Sequence, residues 1–271
     1  MLEKIKQTAD FVKNIIKETP DFAIVLGSGL GKLQDEVEAI HTLEYTEIPN
    51  FPQTTVAGHG GKLIYGILEG KKVLMMSGRF HYYEGHSIET VVFPIRVFYL
   101  LGIKNLILSN ATGGINTGYK IGDIAIIREH INMMPDHPLR GRNIDFFGPR
   151  FVDMSEPYSR KMISVAQNTA SEQNITVHQS VYVALQGPTF ETPAEYGMIK
   201  AIGGDLVGMS TVPEVIVAKH MGMDVFGISV VTDLGGPDIA HSVSHEEVLN
   251  AANTAMPNVI AVVKGLVKNY S

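Results

Sequence analysis

The chain reads as an α/β protein in which helices cover a largely parallel or mixed β-sheet, and three observations predict it. Short apolar runs of strand length recur, each closed by a turn residue or a polar break: Phe22 to Leu26 before Gly27, Val73 to Met76 before Gly78, Leu106 to Leu108 before Asn110, Val181 to Leu185 before Gly187, and Val225 to Val231 before Thr232. Helically patterned stretches lie between them, so the order strand, loop, helix repeats. The polar chemistry is concentrated in the loops just past these runs, where ligands sit in such folds.

Taken in order, Met1 to Pro20 carries Leu2, Ile5, Ala9, Val12 and Ile16 on one helical face with lysines and glutamates around them. That pattern predicts an amphipathic helix and not a secretory signal. The first strand runs into Gly27-Ser28-Gly29-Leu30-Gly31, whose continuation Lys32-Leu33-Gln34-Asp35 suits a helix. The second runs into Gly78-Arg79-Phe80-His81-Tyr82-Tyr83-Glu84-Gly85-His86, and a helix over Ser87 to Leu101 follows. The third ends in Asn110-Ala111-Thr112-Gly113-Gly114. Asp136 to Phe151 is rich in Pro, Gly, Arg and Phe without a period, which predicts a long ordered loop of the kind that often carries function. Helices over Ser159 to Gln173, Ala194 to Ile202 and Val212 to His220 flank the last two strands, and Ser244-His245-Glu246-Glu247 opens a final helix. No internal repeat, heptad or composition break divides the chain, so one domain over 1–271 is expected.

Composition narrows the function classes. With 271 residues and 45% hydrophobic content the chain can bury a sizeable core. Its formal net charge is -6 without a long basic run, which gives no footprint for nucleic acid or an anionic membrane. No apolar run approaches the roughly 20 residues a membrane-spanning helix needs. There is no cysteine, which excludes disulfides, thiolate zinc sites and cysteine nucleophiles and suits a reducing compartment. The histidines show no HExxH spacing, so no metal site is expected. A cytoplasmic protein is the expectation.

Five clusters carry candidate chemistry, each with a structural alternative. In an extended segment Arg79 and His81 point to one side and are placed to hold an anion between them. The alternative is a surface ion pair with Glu84. The glycines of Gly27 to Gly31 let backbone amides approach an anion, with Ser28 as a hydroxyl donor, or they simply make a tight turn. Their spacing is neither the dinucleotide fingerprint nor the Walker pattern. Ser210 and Thr211 precede a proline suited to a first helical turn, with Glu214 supporting the cap. Phe190 beside Glu191 suits a heterocycle, the ring stacking and the carboxylate accepting an N–H, unless Glu191 caps the helix at Pro193. Thr232-Asp233 before Gly235-Gly236-Pro237 poses the same choice between site and turn.

Together these residues resemble the trimeric purine nucleoside phosphorylases, in order along nearly the whole chain. The matching segments are Gly27 to Gly31, Gly58-His59-Gly60-Gly61, Gly78 to Gly85, Asn110 to Asn116, Gly122-Asp123 with Glu129-His130-Ile131-Asn132, Gly187 to Glu195, Gly208 to Glu214 and Ser244 to Val248. The resemblance implies a three-layer α/β/α fold with a central mixed sheet. It implies attack of inorganic phosphate, a co-substrate, on C1′ of a purine (deoxy)ribonucleoside, in purine salvage and without a cofactor. It assigns phosphate binding to Ser28, His59, Arg79, His81, the Ala111 amide and Ser210, with Glu84 orienting His81. Tyr83, Met209 and His245 would contact the sugar. Phe190, Glu191, Thr232 and Asp233 would bind the purine, and His81, Glu191 and Asp233 are the catalytic candidates. It also implies a homotrimer in which Phe151 closes a neighbour's sugar site.

One position departs from the family pattern. Where the family has Asn, whose amide donates to purine N7 and a 6-oxo group, this chain has Asp233. An ionised Asp has no proton to give, so it is either protonated in the closed site or accepts from a 6-amino group. The departure opens two alternatives within the fold, a methylthioadenosine phosphorylase and widened acceptance of 6-aminopurines. Glu191 and His245 argue against the first. A non-catalytic nucleoside sensor and a dehydrogenase domain are the readings from other classes.

Overall fold

In the computed structural model, which describes residues 1–53, 60–236 and 244–271, nine strands join in one mixed sheet. They are β1 (Phe22–Val25), β2 (Glu38–Glu44), β3 (Lys62–Leu68), β4 (Lys71–Ser77), β5 (Asn105–Gly114), β6 (Ile124–Asn132), β7 (Val177–Ala184), β8 (Leu206–Gly208) and β9 (Asp224–Leu234). Their order is β2-β3-β4-β1-β5-β8-β7-β6-β9, and β9 pairs back onto β5. The last five strands therefore close into a ring, while β2, β3, β4 and β1 extend from it as an open sheet. The mixed sheet is as expected; its closure is not, because the β5–β9 pairing joins segments far apart in sequence.

The strands around the site are apolar on both faces, as covered strands are. β1 is buried at all four positions and runs parallel to β4 and β5. β6, β7 and β8 run against β5 and β9. The strands that carry the site loops therefore do not all run the same way. The chain leaving β8 meets the end of β5 from the opposite direction, with Val207 beside Gly113.

Seven helices lie among the described residues: α1 (Leu2–Ile16), α2 (Ile88–Val91), α3 (Phe93–Leu100), α4 (Arg160–Glu172), α5 (Pro193–Ala201), α6 (Val212–His220) and α7 (His245–Asn269). α1 packs on α3 and α3 on α6, while α4 packs on α7. The apolar stripe foreseen for the first helix is the buried one, Ile5, Ala9, Val12 and Ile16. The single helix expected over 87–101 is two: Ser87 caps α2, and the chain restarts at α3 with Pro94 in its first turn, where its missing N–H costs nothing. Ser159 and Ser244 cap α4 and α7, the latter through a capping box with Glu247. The stretch 136–151 is irregular, as expected.

Candidate active site

The anion-friendly residues converge where β1, β4 and β5 end. A Cβ on Gly27 would fall 2.6 Å from the Ser109 carbonyl oxygen, so only glycine lets this turn pass β5 so closely. The helix expected after Gly31 is a 3₁₀ turn, Gly31–Glu36. What this loop offers an anion are its backbone amides and the Ser28 hydroxyl.

Arg79 is only 1% exposed. Its Nη1 donates to Ser210 Oγ, Thr211 Oγ1 and Glu214 Oε2 at 3.0, 3.0 and 3.2 Å, and its Nη2 to the Val25 and Ser109 carbonyls at 3.3 and 2.6 Å. The carboxylate against Arg79 is thus Glu214, and the Glu84 side chain lies buried against His81. Glu214 is also the expected cap, since its Oε2 accepts from the Thr211 N–H at 3.1 Å. Thr211 has a φ of 70°, unusual for a β-branched residue. Bonds from Arg79 and, at 2.8 Å, from Asn110 Nδ2 to its Oγ1 hold it there. The fully buried Tyr182 accepts the Ser210 N–H at 3.3 Å. Ser210 is thereby fixed at both backbone and hydroxyl.

His81 faces the same cavity with a defined tautomer. Glu84 Oε1 accepts the His81 backbone N–H at 2.8 Å and lies 3.0 Å from its Nδ1. A carboxylate oxygen accepts, so Nδ1 carries the proton and Nε2 offers a lone pair. Burial pushes the His81 pKa down, with Arg79 adding to the effect and Glu84 opposing it, so the ring is neutral at pH 7. Tyr83 stacks on it, ring centroids 4.7 Å apart. Burial lifts the Tyr83 phenol to about 12.

The other end of the cavity is made by the β7–α5 loop and the end of β9. Thr192 caps α5 in a box with Glu195, which releases Glu191 from the capping role it was open to. Glu191 turns into the cavity, where burial first, and Asp233 after it, push its carboxyl pKa up. In the β5–β9 ladder Thr112 pairs with Val231 but Gly113 with Asp233, so Thr232 is an extra residue. This bulge re-aims the strand and brings two consecutive side chains, Thr232 and Asp233, to the cavity wall. Thr232 Oγ1 donates to the Asp233 carboxylate at 3.0 Å.

The cavity has a volume of about 370 Å³, a small-molecule size. Its wall includes Ser28, Arg79, His81, Tyr83, Ala111, Phe190, Glu191, Met209, Ser210, Thr232, Asp233 and His245. Two expected residues remain. His59 lies outside the described residues. Phe151 is on the 136–151 loop, 87% exposed and away from its own chain's cavity. His86 contacts the Gln53 carbonyl and the Phe80 ring. Among the described residues no group of three or more His, Asp or Glu side chains could hold a metal ion. The sequence reading missed Glu214 as the partner of Arg79, Tyr182 behind Ser210, and Tyr196 against Gly235. An acid three residues after a cap signals only a cap, and apolar-facing tyrosines read as core.

Comparisons with known proteins agree with this geometry. The family model described as the phosphorylase superfamily matches residues 21–268. Purine nucleoside phosphorylase 1 of Geobacillus stearothermophilus is 47% identical over 267 residues, covering 98% of this chain and 97% of that protein. Purine nucleoside phosphorylase 1 of Bacillus subtilis (strain 168) is 46% identical over 270 residues, covering 100% of each. Among solved structures, the Schistosoma mansoni purine nucleoside phosphorylase in complex with adenosine superposes with a TM-score of 0.95 at 42% identity, covering 99% of this chain and 98% of that one. The same enzyme in complex with inosine gives a TM-score of 0.94 at 42% identity, with 99% and 97% covered.

Proposed function

This chain belongs to the purine nucleoside phosphorylases of the phosphorylase superfamily, and from that premise we propose that its cavity performs the phosphorolysis of purine ribo- and deoxyribonucleosides, inosine and guanosine foremost. The products are the free purine and (deoxy)ribose 1-phosphate. One observation carries the reading: a single cavity joins Ser28, His81, the Ala111 backbone and Ser210, beside the Arg79 charge, to Phe190, Glu191 and Asp233.

Phosphate bound among Ser28, His81, Ala111 and Ser210 presents an oxygen to C1′, and neutral His81 accepts from the protonated oxygen of the anion through Nε2. The C1′–N9 bond breaks with its electron pair passing to the purine, so the sugar gains positive charge and the base negative charge. A fixed phosphate below C1′ favours that state over the bound substrate, and the departing purine takes up a proton from solvent to give the free base. Ionised Glu191 accepts the N1–H of a 6-oxopurine, and Phe190 covers the ring. Tyr83, Met209 and His245 hold the sugar. Asp233 at the N7 edge is the residue on which the range of bases turns. Inorganic phosphate is the co-substrate, and the scheme uses no metal or organic cofactor.

The assembly we propose is a homotrimer in which Phe151, exposed on its loop, closes the sugar site of a neighbour. Phe151→Ala is expected to raise the nucleoside KM about tenfold, the order of one lost aromatic contact, with kcat little changed. Sedimentation equilibrium of the wild type checks the trimer. A cytoplasmic purine-salvage role suits these substrates and a chain free of cysteine, and no described helix is long and apolar enough to cross a membrane. The deciding assay is base release with and without phosphate across purine and pyrimidine nucleosides. Release from none of them, or release independent of phosphate, sinks the proposal.

A further inference from the structure

Behind the wall of the phosphate end lies a backbone conformation that capping a helix does not require. Thr211 is the N-cap of α6, and an N-cap residue is ordinarily extended. Here its φ and ψ are 70° and -56°, and the Val212 N–H bonds the Ser210 carbonyl at 2.7 Å. This is the positive-φ γ-turn, rare and strained, and the more so for a β-branched residue. Strain of this kind persists where the surroundings hold it, and it collects at functional sites. The turn sets the hydroxyl of Thr211, a residue only 1% exposed, 3.0 Å from the Ser210 hydroxyl. Ser210 lines the cavity and Thr211 stands directly behind it.

The hydrogens of these two hydroxyls can be placed by elimination. Thr211 Oγ1 receives Asn110 Nδ2 at 2.8 Å and Arg79 Nη1 at 3.0 Å, and neither nitrogen can accept. Its remaining partner is Ser210 Oγ. Were Ser210 to donate to Thr211, the Thr211 hydrogen would be buried without an acceptor, which is the costlier arrangement. Thr211 therefore donates to Ser210. Arg79 Nη1 also lies 3.0 Å from Ser210 Oγ, so the Ser210 hydrogen cannot turn toward the guanidinium either. The Tyr182 phenol beside it already accepts the Ser210 N–H at 3.3 Å, and an anion in the cavity is the stronger acceptor. We propose that Thr211 is the positioning residue that makes Ser210 a fixed donor toward that anion. The inference rests on the phosphorolysis reading above. Thr211 keeps the Ser210 hydrogen from turning inward while the site is empty, and its own bond polarises Ser210 once phosphate is bound. With His81 Nε2 offering a lone pair, phosphate meets a donor at Ser210 with a bare oxygen and an acceptor at His81 with its protonated one.

Thr211→Val keeps the branched shape and removes only the hydroxyl. The phosphate KM is expected to rise about tenfold, the order of one hydrogen bond in a chain that ends on a charged group, while the inosine KM stays within about twofold of wild type. Thr211→Ser restores the hydroxyl and should bring the phosphate KM back to within about threefold of wild type. In a Ser210→Ala background Thr211→Val should add less than about twofold, because its effect runs through Ser210. A folded Thr211→Val, verified by thermal melting, that keeps the wild-type phosphate KM overturns the assignment, and so does an equal rise in both KM values or a Thr211→Ser as impaired as Thr211→Val. A rise that persists undiminished in the Ser210→Ala background overturns it too, since the effect would then act through Arg79. Should Thr211→Val not fold, neutron diffraction from deuterium-exchanged wild-type crystals holding phosphate reads the same point. Deuterium on Thr211 directed at Ser210 Oγ, with that on Ser210 directed at phosphate, supports the proposal, and a Ser210 deuterium directed at Thr211 or Tyr182 overturns it. A wild type without phosphate-dependent base release is a different failure, that of the reaction itself.

Discussion

The two ends of the cavity are built on different principles. The end assigned to phosphate is cross-braced: Arg79, Ser210, Thr211, Glu214, Asn110 and Tyr182 form one buried network in which nearly every donor has a protein acceptor. The end assigned to the purine is looser. Phe190 is 42% exposed, and burial with the neighbouring Asp233 charge pushes the Glu191 carboxyl pKa up. Inorganic phosphate never varies, so rigidity carries no loss of range. Purines differ by the groups at one edge, and a pair of titratable carboxyls allows that edge to be read in more than one way.

The largest test of this contrast is Glu214→Ala, which leaves the Arg79 guanidinium buried without its carboxylate. Breaking a buried ion pair from one side costs about 3–5 kcal/mol, to be read from denaturant unfolding. Replacing both partners, Arg79→Met with Glu214→Leu, should restore most of that stability while base release stays lost, because the charge beside the phosphate is gone. If Glu214→Ala unfolds at the wild-type denaturant concentration, the bracing described for this end is wrong.

A smaller effect belongs to the purine end. Asp233→Asn replaces an acceptor with a donor at the base edge and removes one of the two charges that raise Glu191. The inosine-to-adenosine ratio of kcat/KM should rise by about tenfold, the order of one hydrogen bond to a charged group, with thermal stability nearly unchanged. An unchanged ratio would remove Asp233 from the account of base selection.

How much of this could be read from residues alone follows from the same contrast. Strands β1, β4, β5, β7 and β9 were legible because burial on both faces makes them continuous apolar runs. β2 was not, being largely exposed; β6 mixes in Arg128, Glu129 and His130, and β8 is three residues long. The site was legible wherever a polar residue stood where a strand ends. What stayed hidden were relations between distant segments: Arg79 with Glu214, the bulge that turns Thr232 and Asp233 together, and Tyr196 against Gly235. Each residue had an adequate local explanation, as a cap, a turn or core, and only the fold shows the second role.

The smallest expected effect separates the two ends in the wild type by pH. Burial and Asp233 raise the pKa of Glu191, whereas burial and Arg79 lower that of His81. As pH falls below 7, Glu191 therefore takes its proton earlier than an ordinary glutamate would, and His81 takes one later than an ordinary histidine would. The inosine KM should rise a few-fold over this range, about as expected for a group moving from mostly ionised to partly protonated. The phosphate KM, corrected for the ionisation of phosphate itself, should stay flat. Adenosine should move the other way from inosine, since its N1 accepts from the protonated acid. Parallel acid losses for inosine and adenosine, together with a rising corrected phosphate KM, would place the titrating group at the phosphate end and reverse the assignment.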